Sequence, residues 1–399
     1  MNENYIKSYY DIENGGNVTV GDNGVAIYSK RKAGGASTVT NTGNITVGGN
    51  NATALFLENG GNLNLNAGTL NVGAGSYGVV AIGNDSFTYN NNAAVNVKLG
   101  TGATYFYSNN PTTNFTNNIA LNTTNKRVYG ISTVGTVTNA ANMTLGDESV
   151  GVLYNGTGTA RNIANIRVGK SDVDNQNYAI GMATKTGTVE NAAGGTITVG
   201  SSGIGLFADG ANSKAINRGN IELSGKRTIG MYLDNNAIGE NYGTIKTVPN
   251  PTNTGIIGVV ALNGAVIKNY GTIEIKDGTN LNGVYLAKGQ YDKASTGTVV
   301  GGIKEKKQSD TSKKVSGIEI KAPGDGTATI KRNGKVVTPT YVDTVTSSPN
   351  APKVRSGATE LDLRAANLNN IPSLSRATSI GMYIDTSGVN YTNPIKGLD

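Results

Sequence analysis

Two apolar residues separated by one intervening residue recur along most of the chain at nearly fixed intervals. The pairs are Val18-x-Val20, Ile45-x-Val47, Leu70-x-Val72, Val95-x-Val97, Ile119-x-Leu121, Met143-x-Leu145, Ile166-x-Val168, Ile197-x-Val199, Ile221-x-Leu223, Ile245-x-Thr247 and Ile273-x-Ile275. The steps between them are 27, 25, 25, 24, 24, 23, 31, 24, 24 and 28 residues, which gives eleven units of about 25 residues. Such a period marks a repeat architecture in which each unit buries its apolar face only against its neighbours. Each unit divides into three strands, supported by period-2 alternation and β-branched residues. The pair is the first strand. A second follows after a short turn, as at Val25–Tyr28, Leu55–Leu57, Leu206–Ala208, Met231–Leu233 and Val284–Leu286. A third closes the unit, as at Thr38–Thr40, Thr136–Thr138, Thr188–Glu190 and Val266–Lys268. No segment sustains a 3.6-residue period.

Asparagine sharpens the reading. Counting back four residues from each pair gives Asn14, Asn41, Asn66, Asn91, Asn139, Asn162, Asn217, Asn241 and Asn269. In the two remaining units the position falls on Phe115, beside Asn114, and on Ala193, near Asn191. Asparagine tolerates the left-handed backbone of a bend, and stacked copies can bond amide to amide. The pattern predicts an all-β chain folded as a parallel β-helix with three strands per coil. Right-handed winding is expected by analogy with parallel crossovers. At about 4.8 Å per coil, eleven coils make a rod on the order of 50 Å long.

The periodicity divides the chain into a lead-in over 1–11, regular coils over 12–290, a β-helix end with large insertions over 291–375, and a C-terminal coil and linker over 376–399. Six of the 9 Pro but only 7 of the 53 Asn lie beyond residue 290, and residues 303–314 are Lys-rich, as expected of a solvated loop. Weak pairs return at Ile318-x-Ile320 and Leu361-x-Leu363, then a clearer one at Ile380–Ile384.

Composition narrows the chemistry. With no Cys, His or Trp among 399 residues, cysteine and histidine nucleophiles, Cys/His metal sites and tryptophan sugar platforms are excluded. The formal charge of +7 is not interleaved with aromatics, so nucleic acid is not the expected partner. No apolar run of about 18 residues could span a bilayer, and residues 1–15 lack the apolar core of a signal peptide. Asp172-x-Asp174 resembles the start of a calcium loop but lacks its Gly and Glu, and reads as a turn. The Asn-x-Thr triplets at Asn17, Asn44 and Asn142 fall in register with the repeat and read as strand starts. Carboxylates are sparse and fall mostly at turns, so neither catalytic residues, metal ligands nor a cofactor site is assigned.

The second strand offers a candidate surface. Its middle position is large in Phe207, Tyr232 and Tyr285, between residues that are apolar themselves. If Leu206 and Ala208 face the core, Phe207 faces out. Phe207, Tyr232 and Tyr285 would then form an exposed aromatic strip fit for a ligand or for dimers and trimers. The alternative is that a loop or an L-shaped cross-section buries the strip.

The C-terminal segment RATSIGMYIDTSGVNYTNPIKGLD (376–399) resembles an element of the passenger regions of the large fusobacterial autotransporter adhesins. The coil motif from Asn269-Tyr-Gly-Thr-Ile273 to Gly283-Val-Tyr285 is similar to their repeat. The resemblance implies a β-helical passenger exported to the cell surface through an outer-membrane barrel, itself outside the membrane. It would bind a host receptor (an immunoglobulin-like glycoprotein among the candidates), a glycan or other bacteria. The chain has neither the leader nor the barrel strands of that family and is expected to be a fragment or truncated form. Two other readings compete: a β-helix enzyme acting on polysaccharide, and a passive stalk.

Overall fold

The computed structural model describes residues 11–31 and 37–305, together with the backbone of short strands at Lys331–Arg332, Lys335–Val336, Lys353–Ser356, Thr359–Asp362 and Met382–Asp385. Every regular element among the described residues is a β-strand. The chain divides into two units, residues 1–115 with 323–399, and residues 116–322.

Both units are parallel β-solenoids built from the three sheets that the repeat predicts. In the first unit Asn17–Val20, Asn44–Val47, Thr69–Val72 and Asn96–Leu99 stack in the first-strand sheet. Val25–Lys30, Thr53–Glu58, Tyr77–Ile82 and Thr104–Ser108 form the second-strand sheet. Asp11–Asn14, Thr38–Asn41, Gly61–Leu65 and Phe87–Asn91 form the third. The second unit repeats the arrangement, and its second-strand sheet continues to Ile303–Glu305. The inward residues of the pairs form the core: Ile45, Leu70, Ile166, Ile197, Ile221, Ile245 and Ile273 are all buried, each stacked on its equivalent.

Register corrects two pairs. Leu70 lies opposite Val97, and Met143 opposite Leu121. Val95 and Ile119 therefore belong to the corners before their strands. The corrected register also repairs the asparagine series. Four residues before Leu121 stands Asn117, and six before Val97 stands Asn91, because that corner is two residues longer. Asn191 likewise precedes Ile197 by six.

The asparagines form a ladder of side-chain amides. In the second unit Asn117 donates to Asn139, Asn139 to Asn162, Asn162 to Asn191, Asn191 to Asn217, Asn217 to Asn241 and Asn241 to Asn269, at 2.8–2.9 Å. Asn14 donates to Asn41 at 2.7 Å in the first unit. Asn66 is exposed and outside the ladder, because register places Leu65 opposite both Asn41 and Asn91. Nor is left-handed backbone the reason for asparagine here: no ladder member has positive φ, whereas Asn23, Asn50, Asn59, Asn235 and Asn263 at other turns do. The amide instead closes the corner. Asn139 and Asn162 also donate to the carbonyls of Ala141 and Ala164, two residues on, at 2.9 and 2.8 Å. Buried carbonyls at a tight corner need such donors.

A glycine column runs through the second strands. A Cβ on Gly151, Gly181, Gly205, Gly230 or Gly258 would lie 2.4–2.6 Å from the carbonyl oxygen of the glycine in the next coil. Any side chain there collides with backbone.

Ile318-x-Ile320 and residues 306–314 of the Lys-rich segment lie outside the described residues. Of the pair Leu361-x-Leu363, Leu361 lies in Thr359–Asp362, which forms an antiparallel hairpin with Lys353–Ser356 and not a parallel rung, and Leu363 lies outside the described residues. Met382–Asp385 joins the first coil, parallel to Val25–Lys30.

Candidate functional site

Phe207, Tyr232 and Tyr285 do not form an exposed strip. Phe207 is 0% exposed and Tyr232 3% exposed, with their rings stacked at 5.4 Å and 6°, and Tyr285 is half-buried. They pack in a cluster with Val150, Leu153, Ile180, Ala183, Ile204 and Val260, with Tyr129 and Tyr178 against it. Leu206 and Ala208 are buried as well but stand outside that cluster. The second strand is thus covered on both faces, as a strand apolar on both sides must be. The first unit does the same with Tyr28, Phe56, Tyr77, Val80 and Tyr107.

The exposed aromatics lie elsewhere, at the corner after the ladder. There the sequence reads Asn217-Arg-Gly219, Asn241-Tyr-Gly243 and Asn269-Tyr-Gly271. The asparagine points in to its ladder. A Cβ on Gly219, Gly243 or Gly271 would approach the carbonyl oxygen of the equivalent glycine one coil back to 2.1–2.2 Å, so that position must be glycine. The residue between is left to project outward. Successive coils thus place Ile163, Ala192, Arg218, Tyr242 and Tyr270 in one column, in which Ala192 is buried and the others are exposed. Ile163, Tyr242 and Tyr270 are 44%, 41% and 37% exposed, among the few large apolar side chains so open among the described residues.

The column is ordered by its own contacts. The Tyr242 and Tyr270 rings stack at 5.1 Å and 21°. The Arg218 guanidinium carbon sits 4.2 Å from the centre of the Tyr242 ring, a cation–π contact worth about 0.5–1 kcal/mol at an exposed site. Beneath it Glu190 is buried and accepts from Arg161 Nε and Nη2 at 3.1 and 2.9 Å and from Arg218 Nε at 3.1 Å. Glu240 accepts from the Tyr242 hydroxyl at 3.2 Å and pairs with Lys214 at 2.8 Å. Desolvation, then the charge and hydrogen bond of Glu240, raise the Tyr242 phenol above its ordinary pKa, against the opposing pull of Arg218. Each polar anchor holds its neighbour's rotamer, so the strip is set before any partner arrives. Sequence reasoning passed over these residues although the Asn-x-Gly motif marks them, because it followed the apolar strand positions and not the residue inside the corner.

Acidic groups show a different pattern. No group of three or more Asp or Glu that could hold a metal occurs among the described residues. Asp172 accepts from Asn175 N and Nδ2 at 3.2 and 2.8 Å, within its own turn. Those bonds hold its carboxyl below the ordinary range. Asp147 and Glu148 pair with Lys170, Lys126 and Arg127.

A family model described as the BigA third pectate lyase-like domain matches residues 8–243, more than half of the chain. No curated protein and no solved structure matches.

Proposed function

The chain belongs to the family of the BigA third pectate lyase-like domain, named for an adhesin-like protein, and from that premise we propose that it is the passenger of a cell-surface adhesin. In this reading the solenoid is a scaffold that holds a binding strip rigidly away from the membrane. The partner is a host-cell glycoprotein, a surface glycan or another bacterium. The observation that carries the reading is the ordered column of Arg218, Tyr242 and Tyr270. A soluble surface normally scatters its exposed apolar residues singly, and a contiguous row of them marks a contact site. Tyrosine and arginine are also the residues that most often dominate interfaces.

Purified protein titrated onto epithelial cells and onto a glycan array tests the proposal, alongside incubation with bacterial and host polysaccharides. Saturable binding without product release is expected. Release of oligosaccharides would replace the adhesin with a polysaccharide-acting enzyme, and absence of binding to every surface would leave a passive stalk.

A further inference from the structure

The strand Met382–Asp385 is a detached copy of a solenoid rung. Ile380-Gly-Met-Tyr-Ile-Asp385 differs from Ile229-Gly-Met-Tyr-Leu-Asp234 only in Ile384 for Leu233. The interior copy is paired in parallel on both sides, with Ile204–Asp209 before it and Ile257–Leu262 after it. The detached copy is paired in parallel on one side only, with the first rung of the second-strand sheet. Ile27 lies opposite Met382, Tyr28 opposite Tyr383, Ser29 opposite Ile384 and Lys30 opposite Asp385. On its other side, register places Leu55 opposite Ile27 and Phe56 opposite Tyr28. The detached copy therefore takes the place that a preceding rung would fill. Its own far edge meets Lys353–Ser356 in antiparallel fashion, with Asp385 opposite Lys353 and Ile384 opposite Val354, and that strand turns back through Thr359–Asp362.

An edge strand offers unpaired amides and carbonyls to any strand of matching register. In a parallel solenoid the two ends are complementary: the edge before the first rung accepts what the edge after the last rung offers. In the second unit the last described rung of the second-strand sheet, Ile303–Glu305, pairs in parallel with Asn282–Ala287, has no other strand partner among the described residues, and leaves Ile303 47% exposed. Such a head-to-tail contact between copies does not close and grows without limit. A parallel rung copy fills the acceptor edge of Val25–Lys30, so that edge is no longer open to another coil.

We propose that Val25–Lys30 is a strand-acceptor surface plugged by Met382–Asp385 of the same chain, and that the plug prevents a second copy from adding there head to tail. The proposal is independent of the binding strip.

The absence of cysteine makes the pairing directly testable in the full chain. Ser29 and Ile384 are register partners on adjacent strands, so Ser29→Cys with Ile384→Cys places two thiols at about the separation a disulfide needs. Oxidation in dilute solution should give a monomer that migrates faster on a non-reducing gel, while each single variant should not. Tyr383→Pro with Ile384→Pro should release the plug. Sedimentation of that variant should then show average mass rising at least twofold over a tenfold concentration range, with its β-sheet circular dichroism retained. The oxidised double-cysteine chain should remain monomeric throughout. Failure of the intrachain disulfide, disulfide-linked dimers in its place, or a folded double-proline variant that stays monomeric would overturn the proposal.

Discussion

At the scale of the residue, the ladder shows how one side-chain type can be fixed by two demands at once. Asn217 accepts from Asn191 and donates to Asn241, so Asn217→Leu removes both bonds in mid-ladder. The cost of stranding buried amide partners is about 1–3 kcal/mol, read as a lower melting temperature; an unchanged melt would contradict the ladder. That Leu65 occupies the equivalent place in the first unit, fully buried, shows that an interruption is survivable where packing compensates. A second residue-scale case is the core pair Tyr89 and Tyr105, whose hydroxyls lie 2.7 Å apart. Burial raises both phenols above their ordinary pKa. In the unfolded chain tyrosine ionises near pH 10, so above that pH the unfolded state releases protons first and folding stability falls. The melting temperature should be insensitive to these two groups below about pH 10 and decline above it. Tyr89→Phe with Tyr105→Phe should reduce that alkaline decline. Tyr105→Phe alone should be less stable at neutral pH than the double variant, because it strands one buried hydroxyl.

At the scale of the element, spacing alone revealed three strands per coil, their order and most of the ladder. Period-2 alternation and a corner that repeats are local properties, and both survive in the sequence. Where an apolar residue inside the corner mimics the pair, local counting slips: Val95 and Ile119 are buried corner residues two positions before the true inward residues, and Asn66 stands one position after Leu65, the ladder equivalent. The outer face of the second strand was harder. Its apolar pattern showed that both faces want cover, but Tyr178, which packs against Phe207 and its neighbours, belongs to the longer connection over 169–179 and is placed there only by tertiary contacts. The glycine column gives the element-scale prediction. Gly205→Ala would set a Cβ 2.5 Å from the Gly230 carbonyl and 2.7 Å from Ile221 Cγ2. Overpacking of this kind costs about 1–3 kcal/mol, and a melt equal to that of the parent chain would show that adjacent coils are not so closely stacked.

At the scale of the whole molecule, stacking equivalent corners turns one permissive position per coil into an outward row over the last three of these coils. Asparagine and glycine serve the backbone and leave the residue between them free to serve a partner. In the second unit that residue becomes Arg218, Tyr242 and Tyr270, while buried Glu190 and Glu240 hold the row in place. The most direct test is the affinity of the parent chain and of an Arg218→Ser, Tyr242→Ser, Tyr270→Ser variant for the same epithelial surface, with circular dichroism confirming that both are folded. Loss of these anchors should weaken binding at least tenfold, equivalent to about 1.4 kcal/mol. Equal binding by the folded variant would contradict the assignment of the corner column as the adhesive surface.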